Sequence, residues 1–364
     1  MARGNLHRLL VLVLVIFLAL CAAPASVQAG KPYTFHDLGT LGGTGGSDAR
    51  GINARGQVVG GSTIGDFADA FLYPYPGGPM QDLGTLGGNY REATGINASG
   101  QVVGYASTTS GATHAFLYPY PGGPMQDLGT LGNTYSFAFG INASGQVVGY
   151  ASTAGNASYH AFLYPFPGGP MHDLGTLGGT YSEALGINAS GQVVGHSSLA
   201  GDALVHAFLY PYPGGPIHDL GTLGGNSSYA TGINASGQVV GYSTTTSGQT
   251  HAFLYPYPGG PMQDLGTLGG TQSKAWGINA SGQVVGYSYL AGDALYHPFL
   301  YSNGQMQDLN DLVDLPTGVS WQTANGINDQ GSIVGATISP GRAYLLTKNP
   351  VPLPSLLLLL LGSD

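Results

Sequence analysis

The stretch DLGTLGGNYREATGINASGQVVGYASTTSGATHAFLYPYPGGPMQ, residues 82–126, is the unit from which most of this chain is built. Its opening Asp-Leu-Gly returns every 44–46 residues, with Asn replacing Gly in the last copy. The seven copies start at Asp37, Asp82, Asp127, Asp173, Asp219, Asp264 and Asp308. A period of this length is typical of propellers, solenoids and helical arrays.

Four short strands are predicted within the unit. They cover Glu92–Asn97, Gln101–Ser107, His114–Tyr120 and Met125–Thr130. Asn-Ala-Ser-Gly follows the first strand and Pro-Gly-Gly-Pro the third, and these residue types supply the backbone angles of tight turns. Glycine and proline recur too often for the helices of a helical array. Four strands per repeat is instead the signature of a propeller blade.

The two ends of the repeat region carry incomplete units. An additional fourth strand, Tyr33–Gly39, precedes the first unit, and the last unit ends on a third strand, Arg342–Thr347. Pairing these two strands closes a ring of seven blades and removes two free sheet edges. The predicted fold is therefore an all-β, seven-bladed β-propeller over residues 33–347. A β-solenoid, the alternative, gives no reason for this distribution of strands.

The termini differ from the repeats. Residues 1–29 combine a weakly basic start, the apolar run Leu9–Cys21 and small residues suited to cleavage after Ala29, which indicates a secretory signal peptide. A signal anchor is the alternative, although the apolar run is shorter than the ~20 residues of a membrane span. Cys21 is the only cysteine, so the exported chain would contain no disulfide. Residues 348–364 form a Pro/Leu-rich tail.

Charge narrows the choice of partners. Loss of Arg3 and Arg8 with the signal leaves 7 basic and 18 acidic residues, a net charge of −11. Nucleic acid is excluded as a partner because phosphate binding needs a basic surface. Six leucines at 356–361 are too few to cross a bilayer, so no stable membrane span is expected after signal removal. The chain is expected to act as a monomer.

The amino-acid sequence of the repeats resembles that of the HAF family of bacterial extracellular repeat proteins, named for His-Ala-Phe. The similarity is carried by Asp127-Leu-Gly-Thr-Leu131, by Gly140-Ile-Asn142 and the following Gly145-Gln-Val-Val-Gly149, and by His160-Ala-Phe-Leu-Tyr164. It implies export and a surface or extracellular location, and it implies no established activity. The first unit departs from the motif with Asp69 in place of His.

The C-terminal tail resembles the bacterial PEP-CTERM sorting tail, in which Val-Pro-Glu-Pro precedes an apolar helix and a basic end. Here Leu353 stands where Glu is expected, and the chain stops without basic residues. The tail is therefore interpreted as a degenerate sorting signal.

Signatures of catalysis and of cofactor binding are absent from the sequence, and glutamate occurs only at Glu92 and Glu183. The Asp that opens each unit is expected to accept backbone N–H groups at its turn, and the repeated His to hydrogen-bond a neighbouring strand. A metal site is the alternative for both, but neither set clusters at ligand spacing. Asn-Ala-Ser matches a glycosylation acceptor and is interpreted as a tight turn. No cofactor and no metal are predicted.

Variation between the units gathers at one end of the blades. Turns alternate between the two ends of an up-and-down meander, so the variable fourth-to-first and second-to-third connections share one face. We call this the variable face. Its ligand-binding candidates are Tyr90, Arg91, Tyr135, Phe137, Tyr181, Glu183, Tyr229 and Lys274. Aromatic and mixed-charge residues around a channel mouth predict a binding surface for a glycan or a protein. Drift in unconstrained loops is the alternative.

These observations predict an exported, non-enzymatic propeller that serves as a binding or surface-structural module. The alternative is a propeller-fold polysaccharide lyase or hydrolase. An enzyme would place asymmetric Glu, Asp, His or Arg side chains together at the channel mouth, whereas a binding module would not need them.

Overall fold

The computed structural model describes residues 30–42, 45–155 and 158–350. The predictions for the signal peptide and for the leucine-rich part of the tail lie outside these residues. The described chain forms seven four-stranded antiparallel sheets, each corresponding to one repeat, which we call blades 1–7. Single-residue parallel bridges, such as Tyr159 to Tyr181, connect blades 3–6 into one continuous sheet. None of the described helices is long and apolar enough to cross a membrane.

Blades 1–3 follow one another directly along the chain. Blade 1 comprises β2 (Ser47–Ile52), β3 (Val58–Ile64), β4 (Phe67–Tyr73) and β5 (Gln81–Asp82). Blade 2 comprises β6 (Gly87–Ile96), β7 (Val102–Thr108), β8 (Thr113–Tyr118) and β9 (Gln126–Asp127). Blade 3 comprises β10 (Gly132–Ile141), β11 (Val147–Thr153), β12 (Tyr159–Tyr164) and β13 (His172–Asp173).

Blades 4–6 repeat the same order of strands. Blade 4 comprises β14 (Gly178–Ile187), β15 (Val193–Leu199), β16 (Val205–Tyr210) and β17 (His218–Asp219). Blade 5 comprises β18 (Gly224–Ile233), β19 (Val239–Thr245), β20 (Thr250–Tyr255) and β21 (Gln263–Asp264). Blade 6 comprises β22 (Gly269–Ile278), β23 (Val284–Leu290), β24 (Tyr296–Ser302) and β25 (Gln305–Asp308), followed by a 3-10 turn at Leu309–Asp311.

Blade 7 is assembled from both ends of the repeat region. It comprises β26 (Ser320–Ile327), β27 (Ile333–Ser339), β28 (Ala343–Lys348) and, as its outer strand, β1 (Tyr33–Asp37). β1 runs antiparallel to β28, with Tyr33 opposite Lys348 and Asp37 opposite Tyr344. The predicted β-propeller and its closure by the N-terminal strand are confirmed, and the β-solenoid is excluded.

Strand lengths differ from the prediction. The inner strand of blade 2 begins five residues earlier than predicted, at Gly87 rather than Glu92. The outer strand contains only Gln126 and Asp127, whereas Met125–Thr130 was expected. The Asp127 carboxylate explains the early end, because it accepts the N–H of Gly129 at 2.8 Å and so turns the backbone away from the sheet.

The hydrophobic core lies between blades rather than within one. In one cluster, Val59 and Leu72 of blade 1 pack with Val102 and Phe116 of blade 2. Phe116 is fully buried, as are its counterparts in five other blades: Phe71, Phe162, Phe208, Phe253 and Phe299. Complete burial of such a ring contributes about 2 kcal/mol relative to an exposed one. A blade therefore buries its core residues only when both neighbours are present.

A closed ring of seven hydrogen bonds joins the blades at the face opposite the variable one. The amide nitrogen of Asn97 donates to the backbone oxygen of Asn142 in the next blade at 3.1 Å. The same bond recurs around the whole circle and ends with Asn328 donating to Asn53 at 3.0 Å. The Asn97 side-chain oxygen accepts the N–H groups of Ser99 and Gln101. These asparagines form tight turns, as predicted, and we call them the ring asparagines.

Candidate functional site

The two ends of the central channel have different linings. Near the ring asparagines, seven Gly-Ile pairs, one from each blade, surround a narrow space of about 200 Å³. At the variable face the channel widens into a cavity of about 420 Å³, which we call the funnel. Every blade contributes the residue three places before its ring asparagine: Arg50, Thr94, Phe139, Leu185, Thr231, Trp276 and Asn325. The side chain at this position differs between most of the blades, so the funnel lining is not uniform.

A second set of inner-strand residues lies five places before each ring asparagine, and three of its seven members line the funnel. We call this the shoulder position. It is occupied by Asp48, Glu92, Phe137, Glu183, Tyr229, Lys274 and Thr323. Each shoulder residue pairs with a residue of the second strand, so the two side chains lie on the same side of the blade. In blades 2 to 6 those partners are Tyr105, Tyr150, His196, Tyr242 and Tyr287.

Aromatic side chains form an unbroken series of contacts along blades 2–6, which we call the aromatic arc. Successive ring centroids lie 4.8–6.4 Å apart, the range in which aromatic pairs attract one another. The series runs through Tyr90, Tyr105, Phe137, Tyr150, Tyr181, His196, Tyr229, Tyr242, Trp276 and Tyr287. The arc therefore follows five of the seven blades, and two of its members, Tyr105 and Trp276, line the funnel.

The arc is interrupted at blades 7 and 1. There the second-strand partners of the shoulder residues are Ala336 and Gly61, which carry no ring. A cleft of about 320 Å³ opens between these blades and shares Asp48, Arg50 and Glu92 with the funnel. Polar groups of the site are thus concentrated where the aromatic residues are missing.

Asp48, Arg50 and Glu92 form one connected group, which we call the charged cluster. The Arg50 Nε lies 2.9 Å from the Asp48 Oδ2 and 2.9 Å from the Glu92 Oε1. Glu92 also accepts the hydroxyl of Tyr105 at 2.7 Å and that of Tyr90 at 3.1 Å. Burial raises the pKa of Asp48 to about 6, with Arg50 lowering it and Glu92 adding to the rise. One of the two carboxyl groups thus titrates close to neutral pH.

Glu183 forms a second polar group within the arc. Its carboxylate accepts the hydroxyl of Tyr181 and lies 3.7 Å from the His196 Nε2. Burial raises the pKa of Glu183, against the opposing effect of the Tyr181 hydrogen bond. Burial also lowers the pKa of His196 to about 4, and its Nδ1 is buried with no hydrogen-bond partner among the described residues. His196 is therefore neutral at pH 7.

Seven of the eight predicted ligand-binding residues border the funnel or the arc. Tyr90 and Tyr135 lie at the rim, with exposed fractions of 40% and 36%. Tyr181 of blade 4 shares one aromatic pocket with Tyr135 and Phe137 of blade 3. Glu183, Tyr229 and Lys274 occupy shoulder positions, and the Lys274 Nζ lies 4.4 Å from the centre of the Tyr242 ring. Three of the seven thus share one pocket, and none of the seven lines the funnel itself.

Arg91, the eighth, points away from the funnel. Its guanidinium contacts Asp69 at 2.5 Å and Asp82 at 3.3 Å, both in blade 1, and its side chain is only 15% exposed. Blades 3–6 carry serine here, and Ser136 bridges the Ala115 N–H and the Gly129 carbonyl of the preceding blade. Arg91 therefore joins two blades, and its charge balances the Asp69 that replaces a histidine in blade 1.

Asp48, Arg50, Tyr105 and Trp276 are site residues that sequence reasoning missed. They lie inside strands, whereas the prediction compared only the connections between strands. Aligning the seven units on the ring asparagines would have shown the signal, because the third and fifth preceding positions change from blade to blade. The fourth preceding position is alanine and the second is glycine in every unit.

The repeated histidines and aspartates pair with each other. His114 Nδ1 lies 2.8 Å from the Asp127 carboxylate on the adjacent strand, and blades 3–6 repeat this contact. Asp127 also accepts a backbone N–H at its turn. Both structural interpretations of these residues are thus confirmed. Within residues 30–42, 45–155 and 158–350, no three His, Asp or Glu side chains converge as metal ligands would.

Comparison with known proteins establishes the class of the protein. No protein-family model and no curated protein matches the sequence. The β-propeller domain of the Trilobed protease from Pyrococcus furiosus is similar, with a TM-score of 0.53 and 9% identity over 85% of this chain and 100% of that one. Pyrococcus horikoshii acylaminoacyl peptidase is also similar, with a TM-score of 0.53 and 10% identity; the alignment covers 88% of this chain and 54% of the peptidase.

TolB from Acinetobacter baumannii is also similar, with a TM-score of 0.46 and 10% identity; the alignment covers 84% of this chain and 64% of TolB. Identities this low concern the fold alone. The chain is a β-propeller protein.

Proposed function

We propose that this protein is an exported binding module that holds a glycan in the funnel. The observation that carries the proposal is the aromatic arc around a concave mouth, interrupted by one group of hydrogen-bonding charges. Ligand sites combine largely apolar and aromatic walls with a few polar groups that fix orientation. The resemblance to HAF-repeat proteins and the signal peptide predicted at residues 1–29 support export.

The dimensions of the funnel favour a glycan over a folded protein partner. A cavity of about 420 Å³ falls within the ~300–1,000 Å³ range of small-ligand pockets. A stable protein interface needs roughly 800 Å² from each partner, which calls for a broad surface. A saccharide chain is narrow enough to enter, and its hydroxyl groups suit the carboxylates and guanidinium of the charged cluster.

Glycan binding is expected to depend on the rim tyrosines. Replacing Tyr90, Tyr135 and Tyr181 together by alanine should weaken binding about 100-fold, since each ring contact contributes about 1 kcal/mol. A glycan array would identify the ligand, and isothermal titration calorimetry would measure the loss of affinity.

The matched control replaces Tyr120, Tyr212 and Tyr257 by alanine. These tyrosines are 41–47% exposed, but they cover the Asn-Ala-Ser-Gly turns at the other face. This control should bind normally. Equal affinity of the rim variant and the native protein, or equal loss in both variants, would contradict a site at the variable face.

Hydrolysis of the bound glycan is a second candidate function, favoured by the charged cluster. The Asp48 and Glu92 oxygens each lie 2.9 Å from the Arg50 Nε, so they are no more than twice that distance apart. Retaining glycosidases hold their two carboxyl groups about 5–5.5 Å apart. Arg50 is 47% exposed at its side chain and would have to move aside for a substrate.

In this mechanism Asp48 protonates the glycosidic oxygen while the Glu92 carboxylate bonds to the anomeric carbon and the glycosidic bond breaks. Water, deprotonated by Asp48, then releases the sugar from Glu92. We expect the array-identified glycan to yield new reducing ends, and Glu92→Gln to abolish that yield. Binding of that glycan without any release of sugar would rule out the hydrolase.

A further inference from the structure

A separate pocket lies between blades 3 and 4, beside the funnel. It has a volume of about 340 Å³ and is lined by Tyr135, Phe137, Tyr150, Tyr159 and Tyr181. We call it the cage. All five lining side chains are aromatic, and Tyr135 and Tyr159 are each 36% exposed, so the pocket is accessible from solvent.

The rings of the cage face it at different angles. Phe137 and Tyr150 are stacked, with centroids 4.9 Å apart and planes inclined by 24°. Tyr159 stands almost perpendicular to Tyr150, at 82°, and Tyr181 is tilted by 56°. A small group in the pocket would therefore meet ring surfaces from several directions. Such an enclosure stabilises a cation, because the face of an aromatic ring carries negative electrostatic potential.

A carboxylate lies beside the cage. Glu183 accepts the hydroxyl of Tyr181, one of the five lining residues. Its charge also adds to the effect of burial in raising the pKa of Tyr150, a second lining residue, to about 12. Aromatic walls alone would accept an apolar ligand, but a neighbouring carboxylate favours a positively charged one.

The protein itself shows an ammonium group on the equivalent surface two blades away. Tyr242 occupies in blade 5 the position that Tyr150 occupies in blade 3. The Nζ of Lys274, from the shoulder position of the next blade, lies 4.4 Å from the centre of the Tyr242 ring. In blade 4 the corresponding shoulder residue is Glu183 rather than lysine. The tyrosine at this position therefore neighbours the Lys274 ammonium in blade 5 and the Glu183 carboxylate in blade 3.

From these contacts we propose that the cage binds an ammonium group of the ligand, either a protonated amine or a quaternary ammonium. Resting on the proposed function, this inference names the class of glycan as one that carries free amino groups, such as a glucosamine polymer. The aromatic arc would hold the sugar rings, and the cage would select for the charge.

The cage can be tested with a small probe that needs no glycan. Choline and 3,3-dimethylbutan-1-ol have the same shape, and they differ in that choline carries a quaternary ammonium. We expect the full-length protein to bind choline at least about tenfold more tightly than the alcohol, as measured by tyrosine fluorescence and by NMR titration. Equal binding of the two probes, or no binding of choline, would overturn the proposal.

Variants assign the preference to the cage. Tyr150→Leu should abolish it, whereas Tyr150→Phe keeps the aromatic face and should retain it. Glu183→Gln preserves the shape of the side chain and should reduce the preference severalfold. Undiminished preference for choline in both Tyr150→Leu and Glu183→Gln would place the cation elsewhere and refute the assignment.

A glycan comparison separates this inference from the proposed function. Oligomers of glucosamine and of N-acetylglucosamine with equal length differ in the charge on nitrogen. We expect the glucosamine oligomer to bind at least about tenfold more tightly, with the difference abolished in Tyr150→Leu and reduced severalfold in Glu183→Gln. Equal or tighter binding of the N-acetylated oligomer would overturn the ammonium site and leave glycan binding intact. A choline preference without any glycan binding would overturn the proposed function alone.

Discussion

Replacing Arg91 by serine is expected to lower the free energy of unfolding by about 3 kcal/mol or more. The substitution leaves Asp69, whose side chain is 7% exposed, facing Asp82 without a cation. Removing one partner of a buried ion pair typically costs about 3–5 kcal/mol, because the remaining charge stays desolvated. Urea unfolding followed by circular dichroism would measure the loss.

The repeats themselves supply the compensating change. Blades 2–6 place histidine where blade 1 has Asp69, and blades 3–6 place serine where blade 2 has Arg91. In the double variant Asp69→His/Arg91→Ser, the introduced imidazole would pair with Asp82 as His114 pairs with Asp127. We expect stability within about 1 kcal/mol of the native protein, hence a coupling energy of about 2 kcal/mol or more. Additive destabilisation by the two single substitutions would show that the residues act independently.

Substituting tyrosine for His196 should remove much of the protein's sensitivity to acid. The folded chain holds the pKa of His196 at about 4, below its ordinary value of 6.5. Between these values the unfolded chain binds a proton that the folded chain does not, so stability falls as the pH is lowered from 6.5 towards 4. The expected loss is about 3 kcal/mol, since one pKa unit corresponds to 1.36 kcal/mol.

Asp48 has the opposite effect on stability in acid, so the variant must be compared with the native protein at the same two pH values. Its pKa is raised to about 6, so the folded chain binds the proton first and acidification below pH 6 favours folding. His196→Tyr leaves Asp48 unchanged and introduces the residue that blades 2, 3, 5 and 6 already carry at this position. Unfolding in urea at pH 7.5 and 4.5 should show a loss about 2–3 kcal/mol smaller in the variant. Equal losses in both proteins would exclude His196 as the cause.

Local sequence signals were sufficient to predict the blades and their closure. Asn-Ala-Ser-Gly forms a hydrogen-bonded turn in each copy. Pro-Gly-Gly-Pro lies in the connection between the third and fourth strands, and pairing of the extra strands at the two ends of the repeat region closes the ring. Strand limits were less predictable. A carboxylate such as that of Asp127 ends the outer strand through a hydrogen bond to a backbone N–H, and spacing alone does not reveal that bond.

The candidate site was only partly predictable, because its contacts join residues from different blades. Tyr90 and Tyr135 were found through variation in the loops. Asp48 and Arg50 lie within a strand, and their relation to Glu92 exists only after blades 1 and 2 pack side by side. Arg91 was predicted to bind a ligand because it differs from the serine of blades 3–6. In the structure its guanidinium instead pairs with the Asp69 carboxylate.

The ring asparagines bear on how such a protein diversifies. Their hydrogen bonds pass from one blade to the next through backbone oxygens, so they do not depend on which side chains occupy the funnel. The hydrogen bonds that join the blades therefore lie at one face, and the inner-strand residues that differ between blades lie towards the other. A substitution at the third position before a ring asparagine changes the lining of the funnel and leaves the backbone acceptors of these hydrogen bonds in place. The repeat thus contains two independent parts: the hydrogen bonds that hold the blades together, and the side chains that differ from blade to blade.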